Sequence, residues 1–129
     1  MNEKKVRILD PAKGIVELVW SGQETPADVS RANQEITTLV HHRKDGFDLL
    51  VDMRTVVAWS QETKAAVIEH QRFLLGLGLR RAAVVVGNAV TRMQLNNVKR
   101  QSSNDRETQW SSYDEARQFL EATATTQIP

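Results

Sequence analysis

Residues 47–54 read Phe-Asp-Leu-Leu-Val-Asp-Met-Arg, and this stretch decides the fold of the chain. A short apolar run of this kind is typical of a strand buried in a sheet. The run ends abruptly in an acid and a base, Asp52 and Arg54, and a loop then leads to Ser60, where a helix is predicted to begin. In an open α/β sheet, ligands and partners bind at the carboxyl ends of the strands. We therefore expect the function of the protein to lie at this corner.

The segments before residue 47 predict a hairpin and a helix. Residues 6–9 and 15–20 are apolar runs joined by a loop that contains proline and glycine, which is typical of an antiparallel hairpin. Thr25 is predicted to cap a helix, because a proline follows it at once and an acid stands three residues later. The basic residues 41–44 are expected in the last turn of this helix, and Gly46 is expected to end it.

After residue 54 the chain alternates between helices and strands. The predicted elements are a helix over residues 61–77, a strand over 81–87, a helix from 88 to about 100, a strand over 107–110 and a helix capped by Ser112. We expect Val90, Met93 and Val98 to face inward on the third helix, and the tail over residues 123–129 to fray. The order ββαβαβαβα predicts an α/β fold in one domain (residues 1–129, core about 5–122), with about five mostly parallel strands and four helices.

The composition fits one globular domain. The chain has 129 residues, of which 40% are hydrophobic and 26% charged, with a net charge of +1 and no cysteine. No apolar run is long enough to cross a membrane, so no membrane span is predicted. The N-terminus lacks the apolar core of a signal peptide, and the absence of cysteine fits a reducing compartment. We therefore predict a cytoplasmic protein.

One segment is far more basic than the rest of the chain. From Arg72 to Arg106 there are seven basic residues and one acidic residue, a local net charge of +6. These bases fall both before and after the strand at residues 81–87, so we expect them at opposite ends of the sheet. A solvated basic face is favoured over a phosphate-binding surface, and no nucleic-acid partner is predicted.

No pattern for catalysis or metal binding is readable in the sequence. His41 and His42 are adjacent, so on a helix they point in different directions, and His70 lies on another helix. The glycines complete no nucleotide-binding motif, and no nucleophile with its base can be assembled from local motifs. We therefore predict a protein that is not an enzyme and that uses no metal or cofactor.

Four segments resemble the STAS fold of anti-sigma-factor antagonists. They are Leu-Leu-Val-Asp-Met-Arg at 49–54, Arg-Ala-Ala-Val-Val-Val-Gly at 81–87, Thr-Arg-Met-Gln-Leu at 91–95 and Tyr-Asp-Glu-Ala-Arg-Gln-Phe-Leu at 113–120. With the order of the elements, the resemblance covers about residues 5–122. It is closer to the SpoIIAA-like branch of bacterial proteins of unknown function, which in turn resembles CRAL-TRIO lipid-binding domains. The resemblance implies a single SpoIIAA-like, or STAS-like, domain.

The STAS resemblance also implies a phosphorylation site, from which this sequence departs. In the sigma-regulating members, a partner kinase phosphorylates a serine of an Asp-Ser-Ser-Gly motif at the start of a helix. When Asp52 is aligned with the strand-end aspartate of the family, residues 60–63, Ser-Gln-Glu-Thr, fall on this motif. Ser60 then lies one position too early, and no glycine follows. We interpret Ser60 as a helix cap in preference to a phosphate acceptor.

The corner offers three candidate contact residues. Asp52 and Arg54 either form a local ion pair or bind a ligand or partner. Trp59 either packs inward or forms an exposed apolar patch with Met53 and Val56, which would anchor a partner.

The preferred hypothesis is a regulatory module that binds a protein partner or a second copy of itself, as a homodimer. Asn88, Thr91 and Arg92 would complete its contact surface from the neighbouring corner. The alternative is a carrier that holds a small apolar, lipid-like ligand between helices and sheet, as the CRAL-TRIO resemblance implies.

Overall fold

The computed structural model describes residues 5–102 and 104–125. The elements in this part are β1 (Val6–Asp10), β2 (Ile15–Gly22), α1 (Pro26–Val40), β3 (Phe47–Val56), α2 (Gln61–Leu77), β4 (Leu79–Val86), α3 (Ala89–Ser102), β5 (Glu107–Trp110) and α4 (Tyr113–Thr125). The predicted α/β class and the order ββαβαβαβα are confirmed.

The five strands form one sheet in the sequential order β1-β2-β3-β4-β5. β1 pairs with β2 antiparallel, as the hairpin predicts, and every other pairing is parallel. Because three successive crossovers step in the same direction, they place α1, α2 and α3 on the same face of the sheet. α4 follows the last strand and packs on the opposite face, against β3 and β4.

The two faces of β3 serve two cores. Leu49, Val51 and Met53 belong to the larger core, which lies between the sheet and α1–α3. Leu50 points the other way and packs with Ala116 of α4. Strands that are buried on both faces are largely apolar along their length. This explains why residues 47–54 could be recognised in the sequence as a buried strand.

A fully buried carboxylate fastens α4 to the sheet. Arg81 donates a hydrogen bond from Nη2 to Oδ2 of Asp48 at 2.5 Å, and the Nε of Arg80 lies 3.4 Å from Oδ1. The same Arg81 guanidinium reaches the carbonyl oxygen of Leu120 in α4 at 3.3 Å and lies 5.5 Å from the centre of the Phe119 ring. One acid therefore links β3, β4 and the last helix.

One predicted helix end was wrong. α1 ends at Val40, and residues 41–44 lie beyond its last turn. The loop is instead held by Arg43, which donates hydrogen bonds to the carbonyl oxygens of Gly46 and Pro11, both at 3.0 Å. α4 continues through Thr125, so the first part of the predicted frayed tail is helical, and residues 126–129 lie outside the described part.

The predicted inward face of α3 was also wrong in part. Val98 is buried as expected, but Val90 and Met93 are 59% and 72% exposed. The buried positions are Thr91, Leu95, Val98 and Ser102, which follow helical spacing. Two polar residues occupy this inner face, so the apolar pattern alone pointed to the wrong side.

Candidate functional site

An open depression of about 440 Å³ lies at the carboxyl ends of β3, β4 and β5. β4 leads to α3 on one face of the sheet, and β5 leads to α4 on the other face. The two chain segments therefore diverge at this edge, as they do at the ligand crevices of open α/β sheets. We call it the rim depression. Its lining consists of Arg54, Val86, Gly87, Asn88, Ala89, Arg92 and Ser111.

Arg54 and Asp52 form the local ion pair that the sequence left as one alternative. Nε and Nη2 of Arg54 donate hydrogen bonds to the two carboxylate oxygens of Asp52 at 2.9 and 2.8 Å. Burial alone would raise the pKa of Asp52, but the hydrogen bonds from Arg54 outweigh it and lower that pKa. The Arg54 guanidinium also lies 5.1 Å from the centre of the Tyr113 ring, in cation–π contact. The pair thus holds Arg54 in place at the edge of the rim depression.

The neighbouring corner has the predicted residues, but only two of them reach the rim depression. Asn88 caps α3, because its Oδ1 accepts a hydrogen bond from the Thr91 N–H at 2.9 Å. Arg92 donates from Nη1 to Oε1 of Gln109 at 3.0 Å, which is a neutral partner. Thr91 is 2% exposed and faces the core, so its predicted place on the contact surface is wrong.

Trp59 packs inward, and the exposed patch that it was predicted to form with Met53 and Val56 does not exist. The three side chains are between 1% and 8% exposed. The loop after β3 folds back, so that the indole of Trp59 lies under α2 beside Trp20 and Val67. Trp59 is therefore a core residue, and it is removed from the contact surface.

Ser60 has the structural role that the sequence favoured. Its Oγ accepts a hydrogen bond from the Thr63 N–H at 3.1 Å and caps α2. The same hydroxyl lies 3.1 Å from the Thr63 Oγ1, and Thr63 in turn donates to the carbonyl oxygen of Glu24 at 2.8 Å. A phosphate on Ser60 would break this set of contacts.

Other apolar side chains are exposed at the same edge of the sheet. Val57 follows the end of β3 and is 50% exposed. Val90 lies in the first turn of α3, directly after β4, and Met93 lies one turn further. These side chains were missed because the sequence placed Val90 and Met93 in the core. Counting helical positions from Thr91 through Leu95 would have found the true inner face.

A buried polar cluster connects α2, α3 and β5. The side-chain oxygen of Gln71 accepts hydrogen bonds from Ser102 at 2.9 Å and from Asn104 at 3.1 Å. Its amide nitrogen lies 3.4 Å from Oε1 of Glu107, whose Oε2 has no partner among the described residues. Burial raises the pKa of Glu107 to about 7. Hydrogen bonds with Gln109 and Gln71 and the positive charge of Lys99 lower this pKa, but they offset only part of the effect of burial.

The Glu107→Gln variant tests this buried carboxyl group. Its folded pKa of about 7 lies above its ordinary value of 4.5, so its contribution to stability is fully present below pH 4.5 and is lost as the pH rises through 7. The gap corresponds to about 3 kcal/mol. We expect urea unfolding to show the variant gaining stability over the wild type by about this amount between these pH values.

The difference in unfolding free energy between variant and wild type separates the titration of Glu107 from that of His70. His70 is buried, its Nδ1 lies 2.5 Å from Oδ1 of Asn33, and burial lowers its pKa to about 4. Its contribution is lost as the pH falls, which is the opposite direction. A variant-minus-wild-type difference that stays flat with pH would show that Glu107 titrates normally.

Two spaces inside the described part of the protein are small. The space under α2, beside Trp59 and Glu107, measures about 30 Å³, and a second space beside Leu39 and Arg43 measures about 40 Å³. Each volume suits a few water molecules at most, whereas pockets for small molecules measure roughly 300 Å³ or more. Neither of these two spaces would hold a lipid-like ligand in the present arrangement.

In residues 5–102 and 104–125, no group of three or more His, Cys, Asp or Glu side chains could hold a metal ion. Over the same described ranges, the helices are too short or too polar to span a bilayer.

Comparison with known proteins identifies the fold. No protein-family model and no curated protein matches the sequence. Among solved structures, the chain is similar to an uncharacterized protein of the DUF3478 family with a SpoIIAA-like fold from Shewanella loihica PV-4. The TM-score is 0.64 at 11% sequence identity, over 82% of this chain and 83% of that one. The likeness confirms the predicted SpoIIAA-like fold, and at this identity it shows the fold alone.

Proposed function

We propose that this SpoIIAA-like domain is a non-enzymatic regulatory module that binds a protein partner, or a second copy of itself, at the carboxyl edge of its sheet. The observation that carries the proposal is the exposure of Val57, which follows the end of β3, and of Val90 and Met93, which lie in the first turns of α3 after the end of β4. Large apolar side chains grouped at one edge of a domain are typical of protein contact sites. This edge replaces the patch around Trp59 as the proposed contact surface.

The lining of the rim depression supports binding rather than catalysis. Among its lining residues the charged side chains are Arg54 and Arg92, and none is a histidine, cysteine or carboxylate. The Ser111 hydroxyl therefore has no activating base in that lining. Arg54, fixed by Asp52, would orient a partner, and Asn88 would keep the start of α3 rigid.

The proposed module works without the serine switch. Ser60 is committed to its cap and to Thr63, and Glu62 adds a negative charge in the same first turn of α2. A phosphate at Ser60 would lose the hydrogen bond that its hydroxyl donates to Thr63 and would be repelled by Glu62.

A photo-crosslinking experiment tests the contact surface. The photoreactive residue p-benzoylphenylalanine is placed at Met93, which is 72% exposed, so the fold should tolerate it. We expect irradiation in the native host to join the protein to one discrete partner, or to a second copy of itself. The matched control carries the same residue at Gln34, an exposed position on α1. Equal adducts at both positions, or none at Met93, would reject the proposal.

A further inference from the structure

α3 differs in charge from the rest of the domain. It carries Arg92, Lys99 and Arg100 and no acidic residue. Most arginines elsewhere pair with carboxylates of the same chain, for example Arg7 with Glu17 at 2.6 Å. α3 alone thus has a net charge of +3, against +1 for the whole chain.

The hydrogen bonds of the basic side chains on α3 go to neutral groups. Arg92 and Lys99 bind neutral acceptors, the side-chain oxygen of Gln109 at 3.0 Å and the backbone carbonyl oxygen of Glu107 at 3.1 Å. Among the described residues, no carboxylate lies within ion-pair distance of Arg92, Lys99 or Arg100. Arg92 and Arg100 therefore keep their charge available to a partner, whereas the charge of Lys99 also acts on the buried Glu107.

The same helix presents apolar side chains next to these charges. Thr91 and Leu95 face the core, which turns Met93 and Arg100 to the outer side of α3, with Val90 beside them. The exposed side of α3 thus carries Met93 and Arg100 at its centre, Val90 on one flank, and Arg92 and Lys99 on the flank that faces β5. We call it the α3 surface, defined by Val90, Arg92, Met93, Lys99 and Arg100.

We propose that the α3 surface binds an acidic, amphipathic helical segment of a partner protein. Apolar side chains of that segment would cover Met93 and Val90, and its carboxylates would pair with Arg92 and Arg100. An amphipathic helix supplies both features at the spacing that a helix surface requires. The inference rests on the proposed function and adds the chemistry of the partner.

The probe is a synthetic helical peptide with leucine on one face and glutamate on the other. We expect it to shift the backbone amide NMR signals of Val90, Met93 and Arg100, with an affinity that falls as salt is added. We also expect the Arg100→Glu variant to bind about tenfold more weakly. The matched control is Lys44→Glu, which makes the same charge change at an exposed position outside α3 and should bind as the wild type does.

Three results would overturn the inference. They are equal binding of a matched leucine/lysine peptide, equal loss in the Arg100→Glu and Lys44→Glu variants, and binding of phosphatidylserine vesicles or duplex DNA in preference to the acidic peptide. Mass spectrometry of the Met93 crosslink separates this failure from that of the proposed function. A discrete partner joined through a segment without acidic residues would reject only the acidic partner, whereas the absence of an adduct would reject the contact surface itself.

Discussion

The Trp59→Ala variant is expected to lose about 3–5 kcal/mol of unfolding free energy, because it empties a large volume under α2. Trp59 is 8% exposed and packs with Trp20 and Val67 in the larger core. The space already present beside it measures only about 30 Å³, so the neighbouring side chains are closely packed. They cannot readily move into the volume that the indole leaves. Urea denaturation followed by far-UV circular dichroism measures the loss.

Val57→Ala is the control for Trp59→Ala, since it removes an apolar side chain from the same loop. Val57 is 50% exposed, so we expect its replacement to change stability by less than about 0.5 kcal/mol. If Trp59→Ala left the unfolding midpoint unchanged but abolished the Met93 crosslink, Trp59 would be a contact residue and its inward packing would be wrong.

Replacing Asp48 by alanine should cost about 3–4 kcal/mol, because it removes the one carboxylate that faces both Arg80 and Arg81. Asp48 is fully buried, whereas the arginine side chains are 38% and 27% exposed. The arginines can therefore recover some hydration, which keeps the expected loss below the upper end of the usual range. Chemical denaturation gives the stability, and hydrogen exchange in α4 shows whether the last helix loosens first.

Glu69→Ala provides the comparison for Asp48→Ala. Glu69 pairs with Arg72 on the exposed side of α2, and its side chain is 69% exposed. We expect this variant to lose less than about 0.5 kcal/mol, since surface ion pairs contribute little. Equal losses for Asp48→Ala and Glu69→Ala would show that the buried carboxylate does not hold α4.

Most of the fold could be predicted from local signals in the sequence. The largely apolar strand at residues 47–54, the Thr25 cap and the Ser60 cap each depend on neighbours within a few positions, so they could be recognised without the structure. The α/β order followed from them. For the rim depression, the sequence predicted only a position at the carboxyl end of β3 and three of the lining residues, Arg54, Asn88 and Arg92.

The remaining features depend on tertiary packing. Nothing in residues 53–59 shows to which side the loop folds, so the burial of Trp59 was left open. On α3, the polar Thr91 and Ser102 occupy the inner face and hide the true helical phase. The cluster around Glu107 draws its members from α2, α3 and β5, and such distant polar side chains give no periodic signal.

The sequential strand order has a consequence for how the chain folds. Each strand pairs with the strand that comes next in the sequence, across a turn for β1 and β2 and across one helix for each later pair. We expect the sheet to grow strand by strand from the N-terminus during synthesis, because each new strand finds its partner already made. α4 is the exception, because it folds back over β4 and β3. There the Arg81 guanidinium, which is paired with Asp48, donates a hydrogen bond to the carbonyl oxygen of Leu120 in α4. Docking of the last helix is thus the step that completes the domain.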